Sequence, residues 1–182
     1  MIRSLFTSVV IIAAACNSGA QDAKPTVLKV GSFIFKVAPP WAAKAEPRMM
    51  SAGGFTLAGK GGAAPVEADF YHFGAGGGGG IEPNIKRWQS QFTAGADGKA
   101  PTMEREELTF GDSKALIVTI KGTFLSGPAM SPNKTPMPGY AMLGAILESK
   151  EGDVFVKITG PEPATLATKE EVKAMVKAAF AK

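Results

Sequence analysis

The sequence predicts a single α+β domain with a mainly antiparallel sheet and two amphipathic helices packed on it. Short runs rich in β-branched and aromatic residues follow one another along the chain, which favours antiparallel pairing. Two segments, at 81–92 and 168–180, instead place apolar residues at helical spacing. The 182 residues, 45% of them hydrophobic, suit one globular domain.

The first residues predict a signal peptide, and with it export. Arg3 gives a positively charged start, and the apolar run from Leu5 to Ala15 is too short to span a bilayer as a mature helix. We therefore exclude residues 1–15 from the fold. Residues 16–25 are interpreted as a flexible tether, and residues 26–182 as the α+β domain.

Two processing sites compete after the apolar run. Ser18–Ala20 fits ordinary cleavage between small residues, which would extend the signal peptide to residues 1–20 and give a secreted chain beginning at Gln21. Cys16, the only cysteine, follows three alanines and resembles the lipidated cysteine of a bacterial lipoprotein, although Ala13 stands where a larger aliphatic residue is usual. We prefer the lipoprotein interpretation, because an unpaired cysteine in an exported protein needs an explanation. It predicts a membrane lipid anchor and a location in the periplasm or outer envelope.

The charge pattern gives no reason to expect a nucleic acid partner. The formal net charge is +4 at pH 7, and the lysines and arginines are scattered without forming a continuous stripe. We interpret them as a solvated surface, in preference to a surface for anionic envelope polymers.

The strands of the first half are runs of β-forming residues between turn residues. Thr26–Val37 predicts a hairpin or bent strand around Gly31-Ser32, which Pro39-Pro40 ends. Arg48–Gly59 predicts a weaker strand because of its central glycines. Val66–Phe73 alternates apolar and polar residues at its start, which predicts a strand with one buried face.

Four apolar residues at helical spacing predict the first helix: Ile81, Ile85, Trp88 and Phe92. Pro83 suits the first helical position, where its missing N–H would be unpaired in any case. We expect the helix to end near Thr93.

The second half repeats the order of strands followed by a helix. Met103–Phe110 and Lys114–Phe124 predict strands joined at a Gly-Asp turn, and residues 125–140, with four prolines, predict a long surface loop. Residues 140–149 and 153–160 predict a further hairpin. Thr168 with Glu171 predicts a capping box at the start of the last helix. The apolar stripe of that helix is Val172, Met175, Val176, Ala179 and Phe180.

The glycine-rich segment before the first helix raises the question of a phosphate site. Gly74, Gly76 and Gly79 satisfy G-x-G-x-x-G between a predicted strand and a predicted helix, as in dinucleotide-binding proteins. However, no parallel βαβ unit follows, and no Lys-Ser or Lys-Thr pair completes a P-loop. We therefore interpret the segment as a structural turn and expect no cofactor, with anion binding as a lesser alternative.

A longer pattern resembles a known family. The chain contains FG-x-G-x-GG, N-x-x-RW-x-x-QF, a G-T-F strand end, Y-x-M-L-G-A-I and V-K-I-T-GP-x-x-x-T, spread over roughly Phe33–Phe180. It resembles an uncharacterised family of exported bacterial proteins similar to the PsbP-like α/β/α sandwich. The resemblance implies that fold and a noncatalytic assembly or binding role, while Pro83 before Asn84 departs from the pattern.

Asn84, Arg87 and Gln91 form a polar stripe beside the apolar one, because they recur at spacings of three and four residues. With three glycines of the preceding loop, they are the candidate binding surface. They could equally hold the glycine loop or the Gly160-Pro161 turn through hydrogen bonds to backbone, the commoner kind of side-chain bond. The three glycines are Gly76, Gly79 and Gly80.

Catalytic and metal-binding patterns are weak. His72 is the only histidine, and its place in the alternation predicts a partly buried residue on the face of Phe70. Glu67 and Asp69 share the opposite face, which we interpret as solvated. Met130 and Met137 are weak candidates for copper ligands. We therefore assign no catalytic residue and no metal site.

These patterns predict an exported, lipid-anchored, noncatalytic binding or assembly module, with an envelope protein or polymer as its unknown partner. The alternative is a small envelope enzyme, or an anion- or sugar-binding protein, centred on the glycine-rich loop 74–80 with His72 and Arg87.

Overall fold

The computed structural model describes residues 24–95, 97–128 and 131–181, which form an α+β structure with a mainly antiparallel sheet, as the sequence predicts. The strands are β1 (Thr26–Val30), β2 (Phe33–Val37), β3 (Ala42–Ala43), β4 (Gly53–Leu57), β5 (Val66–His72), β6 (Phe92–Thr93), β7 (Thr102–Phe110), β8 (Ser113–Ser126), β9 (Thr135–Leu147) and β10 (Val154–Pro161). The helices are α1 (Ile81–Gln89), α2 (Glu162–Ala167) and α3 (Lys169–Phe180), with a 3-10 turn at Lys60–Gly62.

The main sheet has the strand order β3-β4-β5-β10-β9-β8-β6, and β7 also pairs with β8. Strands β1 and β2 form a separate hairpin. All these pairings are antiparallel. Strand β10 lies between β5 and β9, so that Lys157 stands opposite both Asp69 and Gly144. Residues directly opposite one another share a face of the sheet, which brings side chains from distant parts of the chain together.

The two faces of the sheet are covered by different elements. Along β5, Val66, Ala68 and Phe70 enter a core shared with the β1–β2 hairpin and helix α3. Helix α1 covers part of the opposite face, where Ile85 and Trp88 join a second core with β8, β9 and β10. The alternation of β5 therefore directs Glu67, Asp69 and Tyr71 to the side of α1.

Aromatic contacts hold the hairpin and the last helix in place. The rings of Phe35 and Phe70 meet edge to face at 4.9 Å, and those of Phe33 and Phe180 meet at 5.0 Å. Such pairs contribute about 0.5–1.5 kcal/mol beyond the area that they bury.

Helix α1 lies close to the sheet because β9 offers a glycine beneath it. A Cβ atom at Gly144 would lie 2.2 Å from a ring carbon of Trp88. Trp88 is 5% exposed, and it also meets Phe155 edge to face. Gly144 therefore sets the depth of α1 on the sheet.

Two details of the predicted first helix are wrong: its C-terminal end and the position of Pro83. Helix α1 ends at Gln89, and Phe92 belongs to β6, although its side chain still enters the core beneath α1. Gly80 is the N-cap, so Pro83 is the third helical residue and not the first. Proline is still tolerated there, because the first-turn N–H groups have no helical partner.

The C-terminal helix differs in its start. Residues 162–167 already form α2, and α3 begins at Lys169. The predicted capping box is wrong: Thr168 has helical backbone angles, and its hydroxyl donates to the carbonyl oxygen of Thr165 at 2.8 Å. A hydroxyl turned back to the preceding turn does not cap the amides ahead of it.

The predicted long loop at 125–140 is also wrong at both of its ends, where eight of its sixteen residues belong to strands. Strand β8 runs to Ser126 and β9 begins at Thr135, with Pro136 opposite Leu125. Strand β10 pairs with β9 only from Tyr140 onward. The prolines of β9 therefore lie where the strand has one neighbour, and proline is compatible with such an edge.

Some predictions fall on residues that the structure does not describe. Cys16, the cleavage sites and Met130 lie outside the described ranges. Within these ranges, no helix is both long and apolar enough for a membrane span.

Candidate functional site

The glycine-rich loop joins β5 to α1 and needs its glycines for backbone reasons. Gly80, the N-cap, has φ 78° and ψ −178°, a conformation that only glycine adopts readily. Gly78 has φ 75°, and a Cβ there would lie 2.8 Å from the ring of Phe155. Gly76 and Gly79 also have positive φ and are exposed. The loop is thus a tight turn that packs against the second core.

Asn84 on α1 holds this loop against the helix through side-chain hydrogen bonds. Its side chain is 3% exposed, and its Nδ2 donates to the carbonyl oxygens of Gly78 and Gly80 at 2.5 and 2.7 Å. Its Oδ1 accepts from Nη1 of Arg87 at 2.9 Å. The geometry therefore gives Asn84 the structural role that the sequence left open.

The other two members of the polar stripe, Arg87 and Gln91, connect Asn84 to strand β10 through hydrogen bonds. Arg87 is exposed, and its carbonyl oxygen accepts from Nε2 of Gln91 at 3.2 Å. The Oε1 of Gln91 accepts a hydrogen bond from Nζ of Lys157 on β10. The predicted stripe thus ends at a lysine on a central strand of the sheet.

Lys157 is a partly buried cation. Its Nζ lies 5.0 Å from the centre of the Phe124 ring, a cation–π contact. Burial lowers the pKa of Lys157 to about 8, and the positive charges of Arg48 and Lys134 act in the same direction, against Asp69. The ammonium is therefore held in surroundings that disfavour its charge.

A four-charge cluster lies beside Lys157 on the face of α1. Asp69 is 2% exposed, and its Oδ1 and Oδ2 meet Lys44 at 2.8 Å and Arg48 at 3.0 Å. Glu67 meets Arg48 at 2.7 Å and Lys44 at 3.3 Å. The interpretation as a solvated face is therefore wrong for Asp69, which is buried, while Glu67 stays partly exposed; both carboxylates are paired with Lys44 and Arg48.

The pKa values follow from these pairings. Burial opposes ionisation of Glu67, but the hydrogen bond from Arg48 and the charge of Lys44 lower its pKa below the ordinary value. Burial raises the pKa of Tyr71 to about 12, and the charge of Asp69 adds to the effect. Burial also raises the pKa of Tyr140, assisted by Glu67. Both phenols are therefore neutral at physiological pH.

His72 and Arg87 lie on opposite sides of the sheet. The imidazole of His72 is half-buried against Gly31 of the hairpin, and its Nε2 lies 3.2 Å from the carbonyl oxygen of Glu151. Arg87 is on α1, which covers the other face. These two side chains do not form one centre at the glycine loop.

The described residues hold no group of three or more His, Cys, Asp or Glu side chains placed to bind a metal ion. Met137 packs at the edge of the second core. One cavity of about 260 Å³ lies beside Glu104 and Lys169, and another of about 250 Å³ lies between α3 and Trp41; Lys157 lines neither of them. The Lys157 site is defined by its charges and hydrogen bonds.

Comparison with known proteins finds a similar solved structure but no matching family. No protein-family model and no curated protein matches the chain. The chain is similar to the crystal structure of PA94 from Pseudomonas aeruginosa, described as a protein of unknown function and suggested regulator, at 8% identity and a TM-score of 0.49. The match covers 88% of this chain and 99% of that chain. A likeness at this level carries no functional argument.

Sequence reasoning found Arg87 and Gln91 but missed Lys157, Lys44 and Arg48. One signal was available for Lys157: it interrupts the apolar run of a strand whose neighbours, Val156 and Ile158, are fully buried. No comparable signal marks Lys44 or Arg48, because both lie in an irregular segment and meet β5 only through tertiary structure.

Proposed function

We propose that the protein is an exported, noncatalytic binding or assembly module of the cell envelope. Its binding surface comprises Arg87 on α1, Gln91 just after α1, Lys157 on β10, Tyr140 on β9 and Arg48 in the segment before β4; we call it the Lys157 surface. The resemblance to PsbP-like proteins and the predicted signal peptide support this proposal.

The hydrogen bond from Lys157 to Gln91 is the observation that carries the choice of surface. It connects the polar stripe that begins on α1 to a partly buried cation on a central strand. Removing a charge from water costs free energy, and a well-packed apolar residue is often as stable or more stable at such a position. A lysine kept there at a cost to folding is consistent with a role in binding.

The surface can be tested by capturing partners from a detergent-solubilised envelope fraction. We expect wild type to retain a discrete partner that Arg87→Ala and Lys157→Met lose, while Lys114→Met retains it. Lys114 is a suitable control because it is an exposed lysine on β8, paired with Glu107. Equal capture by all four proteins would reject the Lys157 surface, provided that circular dichroism shows the variants folded.

We further propose that the protein is lipid-anchored through Cys16. Mass spectrometry of the mature N-terminus is expected to find an acylated Cys16, and globomycin, which blocks lipoprotein signal peptidase, should make the unprocessed form accumulate. An unmodified N-terminus at Gln21 would refute the anchor and leave ordinary secretion.

A further inference from the structure

The charges that face Lys157 are unequal. From the segment before β4 come Lys44 and Arg48, from β5 come Glu67 and Asp69, and Lys134 precedes β9. Lys44, Arg48 and Lys157 thus face the two carboxylates of Glu67 and Asp69, which leaves this group of five side chains with a net charge of +1. Neutral polar groups lie in the same surroundings: Gln91 just after α1, and Tyr71 and Tyr140 on the sheet.

Both carboxylates are already occupied. Each oxygen of Asp69 meets one cation, Lys44 or Arg48, and Glu67 meets the same two residues. Among the described residues, the acceptor found for Nζ of Lys157 is the neutral amide of Gln91. An ammonium group has three N–H donors, so Lys157 has donors left for a ligand.

We propose that the Lys157 surface binds an oxyanion, a carboxylate or phosphate group, directly at Nζ of Lys157, with Arg48 as the second nearby cation. The inference rests on the proposed binding surface and names the chemical class of its ligand. Charge-assisted hydrogen bonds to an anion are stronger than the neutral one that Lys157 makes with Gln91. Lys157 is only partly buried, so the group can reach its Nζ from solvent or as part of a larger partner.

Binding of an anion should be linked to protonation of Lys157. In the free protein, burial and neighbouring cations lower the pKa of Lys157 to about 8. A bound anion favours the charged amine and raises that pKa, so binding at pH 8 takes up protons. The affinity for the anion is therefore near its maximum at pH 7, and it falls as the pH rises through 8 and Lys157 of the free protein loses its proton. At pH 9.5 about 3% of a group with pKa 8 is protonated, which predicts about thirtyfold weaker binding than at pH 7.

The test is calorimetric titration of the mature protein with inorganic phosphate and, separately, with glucuronate. The two ligands distinguish a phosphate source from a carboxylate on a sugar, and binding of either one supports the proposal. Glucuronate serves for the comparison of pH 7 with pH 9.5, because its charge is constant over that range. At pH 8, buffers of different ionisation enthalpy should reveal net proton uptake.

We expect binding to be lost in Lys157→Met and in Lys157→Gln and retained in Lys114→Met. Absence of binding of both ligands to wild type at about 10 mM, an affinity independent of pH, or unchanged binding in both Lys157 variants would overturn the proposal. If the oxyanion fails while partner capture still depends on Arg87, the binding module stands and only its ligand class is refuted.

Discussion

The substitution Lys157→Met should make the protein more stable at neutral pH, and this gain should shrink as the pH rises. Methionine keeps much of the length of the lysine side chain without its charge. The pKa of Lys157 is lowered in the folded protein, so the unfolded chain binds the proton more tightly. Where the unfolded state binds more protons, stability rises with pH. Wild type therefore gains stability between about pH 8 and pH 10.5, the folded and the ordinary pKa, whereas the variant lacks this gain.

The magnitude follows from the two pKa values. The pKa of Lys157 falls from 10.5 to about 8. At about 1.4 kcal/mol per pKa unit, the charged amine costs about 3 kcal/mol of folding free energy below pH 8. We therefore expect the difference in unfolding free energy between Lys157→Met and wild type to fall by about 2–3 kcal/mol from pH 7 to pH 10.5.

Urea denaturation at half-unit pH steps, followed by far-ultraviolet circular dichroism, measures this difference. Other lysines and the tyrosines titrate in the same range, but their contributions are common to both proteins and cancel when sites are independent. Lys114→Met again serves as the control, and we expect it to show no gain at pH 7. A Lys157→Met difference that stays constant from pH 7 to pH 10.5 would show that the amine has an ordinary pKa, and the reasoning about buried charge would be refuted.

Three further substitutions test the packing and pairing around this surface by urea denaturation. Asp69→Asn should cost about 3–5 kcal/mol, because it removes a buried carboxylate and leaves the largely buried Lys44 and the exposed Arg48 to share Glu67 alone. Glu107→Gln at an exposed pair should change little, and equal effects would refute the burial argument. Gly144→Ala should lower the free energy of unfolding by about 1–3 kcal/mol, because the added methyl group displaces Trp88. The same substitution should cost less in a Trp88→Ala background. Additive losses would show that residues 144 and 88 are not in contact. Asn84→Ala should lower the free energy of unfolding by about 1–3 kcal/mol and speed amide hydrogen exchange in loop 74–80. Unchanged exchange would show that the loop keeps its conformation without the hydrogen bonds from Asn84.

The fold class could be predicted because its signals are local. The alternation of β5 and the stripe formed by Ile85 and Trp88 each assign a face without knowledge of the partner. The errors occur where tertiary structure overrides local pattern. Prolines 136 and 138 lie in a strand because that part of β9 has a single neighbour, and Phe92 leaves the helix to pair with Phe124 while keeping its place in the core.

The candidate site was predicted only in part, for a related reason. The helical spacing of Arg87 and Gln91 is visible in the sequence, but their partner Lys157 is 66 residues away from Gln91. The interpretation of Asp69 as solvated is wrong because the alternation of β5 shows only that Asp69 faces away from the first core. On the other face of the sheet, residues 44–48 cover it. Which charged side chains come into contact depends on the register between neighbouring strands, and the sequence of one strand does not show that register.

The pairing of Asp69 explains why Lys157 keeps free donors. The two residues are directly opposite in the register of β5 and β10, where an ion pair would be expected. No ion pair joins them in the described structure, and both oxygens of Asp69 bond to Lys44 and Arg48. The segment before β4 thus competes for the carboxylate and leaves the ammonium of Lys157 to the neutral Gln91. Lys44 and Arg48 therefore contribute to the surface twice: they stabilise a buried carboxylate, and they keep the positive charge of Lys157 available to an anion from outside.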